Sequence, residues 1–199
     1  MKELAIFGST GSIGCSTLNV VRRHRDRFAV SILAAGRNLQ RLIEQIREFN
    51  PRHVYIIGEK DAAVLKALFP GLDIYRGEDG MDKVSRLTDF DIGVSALVGV
   101  AGLRPTWNMI NNGKTVALAN KEVLVAGGRL VMEAARKQGA ALLTVDSEHS
   151  AIMQCLRGEN HGEIERILLT ASGGPFFDRE ITDSITPEEA VSYTHLTLP

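Results

Sequence analysis

The chain has 199 residues, of which 44% are hydrophobic and 24% charged, and its formal net charge is -1. That length supports one or two domains whose core needs no disulfide or metal staple. The balanced charge excludes a global field toward nucleic acid or an anionic membrane, and no apolar stretch reaches the length of a membrane span.

Cys15 and Cys155 stand outside any C-x-x-C or Cys/His spacing, so neither a disulfide framework nor a zinc site is expected. Cys15 falls in the first turn of an expected helix and is read as a small packed residue. The chain enters a strand at once, with no charged leader or apolar h-region, and the expected compartment is the cytoplasm. No nucleic-acid or membrane partner is expected.

In chain order, ELAIF leads into a helix from about Ser12 to Arg25, whose basic end RRHRDR is read as solvated. AVSILAAG leads into LQRLIEQIREF, and HVYIIG into DAAVLKALF. DIGVSAL is followed by GLRPTWNMINNG, TVALAN by EVLVAGGRLVMEAARKQG, and ALLTVD closes the series. These strands are continuous apolar runs rather than alternating ones, the mark of parallel strands covered on both faces. The expected fold is α/β, a Rossmann-type doubly wound parallel sheet over residues 1–138. The period changes near Gly139, and the boundary is placed between Gln138 and Thr144. After the polar break ENHGE, a strand IERILLTAS and a turn GGPF open an α+β catalytic domain over residues 139–191.

Ligands of such sheets bind beyond the carboxyl ends of the strands, so the residues after each apolar run carry the chemistry. After the first strand comes GSTGSIG, residues 8–14. Glycines at Gly8, Gly11 and Gly14 permit a tight turn and close approach of backbone to a pyrophosphate. The helix start offers free N–H groups, and Thr10 and Ser12 add hydroxyls. After the second strand comes GRN, Gly36, Arg37 and Asn38. An arginine where an NAD site carries an acidic residue suits a 2′-phosphate and points to NADP(H). After TVALA comes NKE. Lys121 could hold a phosphate or polarise a substrate oxygen, while Asn120 could equally be a helix N-cap.

After ALLTV comes DSEHS. If the chain stays extended there, Asp146 and Glu148 point to one side and make half of a site for Mg²⁺ or Mn²⁺. The competing reading is a helix start, with Asp146 or Ser147 as its cap and Glu148 and His149 in its first turn. In TASGGPF, Ser172 and the N–H groups after it could form an anion nest, or simply a turn before Pro175.

The segments GSTGSIG, AAGRN, ALANKE, TVDSEHSAI and TASGGPF, in this order, resemble the 1-deoxy-D-xylulose 5-phosphate reductoisomerase family over Met1 to about Ala190. The resemblance implies an NADPH-dependent isomerisation and reduction to 2-C-methyl-D-erythritol 4-phosphate in non-mevalonate isoprenoid synthesis. It implies Mg²⁺ or Mn²⁺, a sugar phosphate substrate and, at full length, a homodimer. Carried over by motif position, Thr10, Gly11, Ser12 and Ile13 would cradle the pyrophosphate. Gly36, Arg37 and Asn38 would bind the adenosine end, and Asn120 and Glu122 would contact the cofactor. Lys121, Ser147, Glu148 and Ser172 would hold substrate, with Lys121 and Glu148 catalytic, and Asp146 and Glu148 would ligate the metal.

The family pattern continues with a His-Pro-x-Trp segment and a third acidic ligand. This chain instead runs into VSYTHLTLP, which resembles nothing in that pattern. The expectation is a foreign tail over residues 192–199, an incomplete catalytic domain and a chain without meaningful turnover. Two other readings stay open. One is a different NADP-dependent dehydrogenase of the semialdehyde or homoserine type, which the DSE pair counts against. The other is a non-catalytic NADPH-binding fragment.

Overall fold

A computed structural model of the chain describes residues 1–168 and Thr186. It divides into a compact unit Met1–Asp146 and a second that begins at Ser147. The first unit is a seven-stranded sheet of β1 (Lys2–Phe7), β2 (Phe28–Ala35), β3 (His53–Ile56), β4 (Asp73–Arg76), β5 (Ile92–Ser95), β6 (Thr115–Leu118) and β7 (Leu142–Thr144). Every pairing is parallel, in the spatial order β4-β3-β2-β1-β5-β6-β7. The connecting helices are α1 (Ser12–Arg23), α2 (Leu39–Phe49), α3 (Glu59–Leu68), α4 (Gly77–Ser85), α5 (Leu103–Asn111) and α6 (Glu122–Gln138).

Successive strand residues face opposite sides of a sheet. Leu4 and Ile6 of β1 join Leu18 and Val21 of α1, Leu42 and Ile46 of α2 and Leu65 of α3 in one core. Ala5 and Phe7 join Val84 of α4, Met109 and Ile110 of α5 and Val123 and Val131 of α6 in the other. A central strand with helices on both faces must therefore be apolar at every position. That is why LAIF and ILAA show no alternation. Each large side chain buried here contributes about 1.5–3 kcal/mol relative to exposure.

Where the chain enters its strands, a polar cluster ties the elements together. Ser31 donates to Asp89 Oδ2 at 3.0 Å, as does Arg52 Nε, also at 3.0 Å. The His53 ring lies 3.0 Å from the same oxygen. Burial pushes the Asp89 carboxyl up, but the bonds from Arg52 and Ser31 and the His53 ring outweigh it and hold it below the usual range. On α4, hydrogen bonds from Arg86 and Asn108 bring Asp82 down to about 2. Both carboxylates have folded pKa values below the unfolded value of about 3.9. Their stabilisation is complete above that value and is lost as the pH falls through the folded one. Thermal melts should therefore show the midpoint dropping below pH about 4, with a shallower drop in Asp89→Asn and Asp82→Asn. Identical acid slopes in the wild type and both variants would refute this account.

The structure adds β4 and α4, which the hydrophobic pattern does not reveal. β4 is an edge strand with no fully buried residue, and α4 opens on GEDG, where two glycines lower helix propensity. Leu142, Leu143 and Thr144, within the expected boundary window, pair with Val116, Ala117 and Leu118. They form the edge strand of the compact unit that runs to Asp146. Of the expected strand IERILLTAS, residues 164–168 lie in no strand. Its remainder, the GGPF turn, Ser172 and the segment 192–199 lie outside the described residues. Arg22 and Arg25, at the basic end of α1, pair with Glu48 at 2.6 and 3.1 Å and stay about half exposed, a solvated helix end as expected. In the second unit, α7 spans Ser147–Leu156. Among the described residues no helix is long and apolar enough to cross a membrane.

Candidate functional site

The chain leaves β1 toward β2 on one side and later returns to β5 on the other side of β1. That reversal opens a crevice beyond the carboxyl ends of β1 and β5, the place where open α/β sheets take ligands. The topology brings GSTGSIG, GRN and NKE to this one end of the sheet, after β1, β2 and β6.

The glycine loop is anchored to the neighbouring strands. Gly8 and Ser9 both donate to Ala34 O at 2.9 Å. Gly8 has φ +96°, and a Cβ there would strike the Ala96 carbonyl beyond β5. A Cβ on Gly14 would lie 2.6 Å from Ser9 Cα. These two glycines serve close packing. Gly11 differs: a Cβ there meets Gly8 O at 3.4 Å, an ordinary contact. It is the N-cap of α1, with no side-chain cap and no acidic residue in the first turn. Gly11, Ser12 and Ile13 are exposed and Thr10 is half-buried. The start of α1 is thus an uncapped, accessible helix terminus, suited to a phosphate.

At the end of β2, Gly36, Arg37 and Asn38 are exposed. Asn38 is the N-cap of α2 and accepts from Arg41 N at 3.1 Å. Arg41 is a residue that the pattern alone does not single out. Its Nη1 donates to Thr10 O at 3.2 Å and lies 3.9 Å from Cys15 Sγ. A cation on α2 therefore braces the glycine loop from the side of GRN. Its only sequence signal is its place one turn after the Asn38 cap. Ser12, Cys15 and Arg41 share a cleft of about 450 Å³ between α1 and α2. Cys15 is half-buried, with Sγ 3.7 Å from Ser9 O.

The NKE segment separates into one buried and two exposed residues. Asn120 is 2% exposed. Its Nδ2 donates to Leu97 O at 2.6 Å and Gly99 O at 2.7 Å, and its Oδ1 accepts from Val123 N at 3.3 Å. It sits one residue before Lys121, the N-cap of α6, accepts an N–H of the helix's first turn and ties down the loop after β5. Lys121 and Glu122 are exposed at the start of α6.

The DSE stretch follows β7. Val145 N donates to Leu118 O at 3.2 Å, and α7 starts at Ser147. The backbone is therefore not extended through residues 146–148, and the alternation that would point Asp146 and Glu148 to one side does not operate. The helix-start reading holds for the backbone, with Glu148 in the first turn and accepting from Ser147 Oγ at 2.9 Å. Among the described residues, no group of three His, Cys, Asp or Glu side chains gathers to hold a metal. Asp146 and Glu148 carry hard carboxylate oxygens, a donor type that suits Mg²⁺ or Mn²⁺.

A parallel sheet with this order, and a glycine turn at its point of reversal, defines a Rossmann-type α/β protein. Two sequence profiles sharpen that class. The 1-deoxy-D-xylulose 5-phosphate reductoisomerase profile matches residues 4–128, and the profile of that enzyme's C-terminal domain matches residues 142–197. The chain belongs to the 1-deoxy-D-xylulose 5-phosphate reductoisomerase family. The second match includes most of the segment 192–199. The reductoisomerase of Listeria monocytogenes is 44% identical over 195 residues, which are 97% of this chain and 51% of that protein. That of Clostridium perfringens is 46% identical over 199 residues, 97% of this chain and 52% of that protein. The Zymomonas mobilis enzyme solved with NADPH superposes with a TM-score of 0.82 at 38% identity, over 96% of this chain and 51% of that one. A reductoisomerase solved with NADPH, fosmidomycin and magnesium also gives 0.82, at 34% identity over 100% of this chain and 52% of that one. The chain thus spans about half the length of the curated relatives it matches.

Proposed function

We propose that the Met1–Asp146 unit binds NADPH, and that the chain serves the conversion of 1-deoxy-D-xylulose 5-phosphate to 2-C-methyl-D-erythritol 4-phosphate. The observation that carries this reading is the uncapped start of α1 on a tightly packed glycine loop, beside the exposed Arg37. The relatives solved with NADPH support it. In this reading the N–H groups of Gly11, Ser12 and Ile13 and the Thr10 hydroxyl hold the pyrophosphate, where the helix dipole favours negative charge. Arg37 meets the 2′-phosphate, with Gly36 and Asn38 shaping the loop around the adenosine. NADPH supplies the hydride. Glu122 lies on the nicotinamide side and Lys121 neutralises charge on the substrate.

Asp146 and Glu148 contribute oxygen ligands to Mg²⁺, or equally Mn²⁺, which supplies charge stabilisation at adjacent substrate oxygens. The remaining ligands come from substrate, water or other residues. Ser147 and Ser172 orient the sugar phosphate. A cytoplasmic homodimer completes the proposal for the whole enzyme.

Titrating the chain with NADPH and NADH, followed by cofactor fluorescence, tests the core of this reading. Saturable NADPH binding is expected, about tenfold or more tighter than NADH, because one charge-assisted phosphate contact contributes about that much. Equal affinities, or no saturation at millimolar cofactor, would overturn it. A paramagnetic titration with Mn²⁺, comparing wild type with Asp146→Asn, reads the metal half. Identical isotherms would remove Asp146 from the ligand set.

A further inference from the structure

The glycine loop is held from below by a residue that lies outside every motif. We infer that Gln45 is a positioning residue for the dinucleotide. From the buried face of α2 its amide grips the Ser9 carbonyl, and the rigid peptide that this carbonyl belongs to then turns the Thr10 N–H outward, toward the pyrophosphate. The inference rests on the NADPH reading above.

The buried residues of α2 are Leu42, Ile43, Gln45 and Ile46. Three are apolar, as a helix packed on a sheet requires. Gln45 breaks the pattern, yet it is only 6% exposed. Its Nε2 donates to Ser9 O at 2.9 Å. Arg41, one turn earlier on the same helix, donates to the next carbonyl, Thr10 O, at 3.2 Å. Two side chains of α2 thus hold two successive carbonyls of the loop. The Oε1 of Gln45 is buried with no partner among the described residues. An amide oxygen left that way costs stability, so the bond from its nitrogen, rather than core packing, sets Gln45 apart from a leucine at this position.

The carbonyl of Ser9 and the N–H of Thr10 belong to one peptide. Among the described residues no peptide bond is cis, and in a planar trans peptide the C=O and N–H point in opposite directions. Ser9 O faces inward. Gln45 holds it, Cys15 Sγ lies 3.7 Å away, and a Cβ on Gly14 of α1 would stand 2.6 Å from it. The Thr10 N–H is therefore turned away from the packing of α1 and α2. It donates to no atom among the described residues, whereas Gly8 and Ser9 both give their N–H groups to Ala34 O. Thr10 is half-buried, so a ligand can reach it. Two residues before the open first turn of α1, it adds a donor suited to a phosphate. Without Gln45 this peptide is free to rotate, and a flip would aim the Ser9 carbonyl oxygen at the phosphates.

Gln45→Met keeps the size of the side chain and removes the donor. It should weaken NADPH about tenfold or more. Adenosine 2′-monophosphate, which has no pyrophosphate, should stay within about twofold of its wild-type affinity, because Arg37 lies outside the loop. Melting should stay within about 5 °C of wild type, the cost of one ordinary hydrogen bond. Gln45→Glu supplies a readout that packing alone does not move. A protonated carboxyl can donate to Ser9 O and an ionised one cannot, and burial raises its pKa. Its NADPH affinity relative to wild type should recover about fivefold or more from about pH 8 to about pH 6, while that of Gln45→Met stays flat. The other titratable groups lining the cleft, Cys15 and Arg22 of α1 and Arg41, Glu44 and Glu48 of α2, are common to all three proteins and cancel in that ratio. The inference is overturned if both ligands weaken together, which is displacement of α2, or if neither does. It is equally overturned if Gln45→Glu shows the full deficit of Gln45→Met at both pH values. A wild type that binds neither ligand would sink the NADPH reading itself. The carbonyl ¹³C shift of Ser9 then decides the grip alone: a change in Gln45→Met supports it, and an unchanged shift refutes it.

Discussion

Gly8→Ala is expected to lower the melting temperature of the Met1–Asp146 unit by roughly 6–12 °C and to abolish dinucleotide binding. Two costs add at this position. The backbone sits at φ +96°, which a residue with a Cβ rarely adopts. The new methyl would also drive into the Ala96 carbonyl, a backbone atom that cannot swing aside as a side chain could. Together they amount to about 3 kcal/mol or more, in the range of strained backbone plus overpacking. For a domain of this size each kcal/mol moves the midpoint by about 2–4 °C. Gly11→Ala is the control. Its methyl meets only Gly8 O, at ordinary contact distance. Its melting should stay within about 2 °C of wild type, while its exposed Cβ intrudes where a pyrophosphate would lie. Melting curves and NADPH titrations on both variants check the pair. A Gly8→Ala protein that melts like the wild type would show that the β1–β5 contact yields.

The second large effect concerns cofactor choice. Arg37→Ala should weaken NADPH binding about tenfold to a hundredfold and leave NADH unchanged, since hydrogen bonds to charged groups contribute about 1.5–3 kcal/mol. Arg37 is exposed at the end of β2, where a dinucleotide's ribose is expected to lie. Arg41 should behave differently. It holds Thr10 O, within the loop proposed to meet the pyrophosphate, and its loss should affect both cofactors alike. The contrast between the two arginines, read in one set of binding curves, distinguishes a 2′-phosphate contact from a brace. If Arg37→Ala weakens NADH as much as NADPH, the 2′-phosphate assignment is wrong.

The central strands, the helices α1, α2, α3, α5 and α6 and the placement of the glycine loop are all legible in the sequence. Each rests on local chemistry: an apolar run for a strand covered on both faces, a 3.6-residue stripe for a helix, glycines at a turn. β4 and α4 were not legible. A short edge strand buries too little to need an apolar run, and a helix that opens with glycines owes its existence to packing on Tyr75 and Met109 as much as to its own propensity. β7 is legible as a strand, but its pairing with β6 is not. Nothing within LLT says which sheet it will join.

The same division runs through the candidate site. The residue types, and their positions after strands, were determined by the sequence alone, because hydroxyls, amides, carboxylates and a glycine loop following apolar runs already specify where a ligand can sit. Only the tertiary structure decided which partners each side chain meets. Asn120 is an amide after a strand until Leu97 O and Gly99 O are found on its two N–H groups. Arg41 is an ordinary helical arginine until its guanidinium is found on Thr10 O. Gly102 carries no signal until the amide that needs its space is placed beside it. These contacts join partners 18 to 31 residues apart in the chain, and the separation between such partners is set by how the strands assemble rather than by any local pattern.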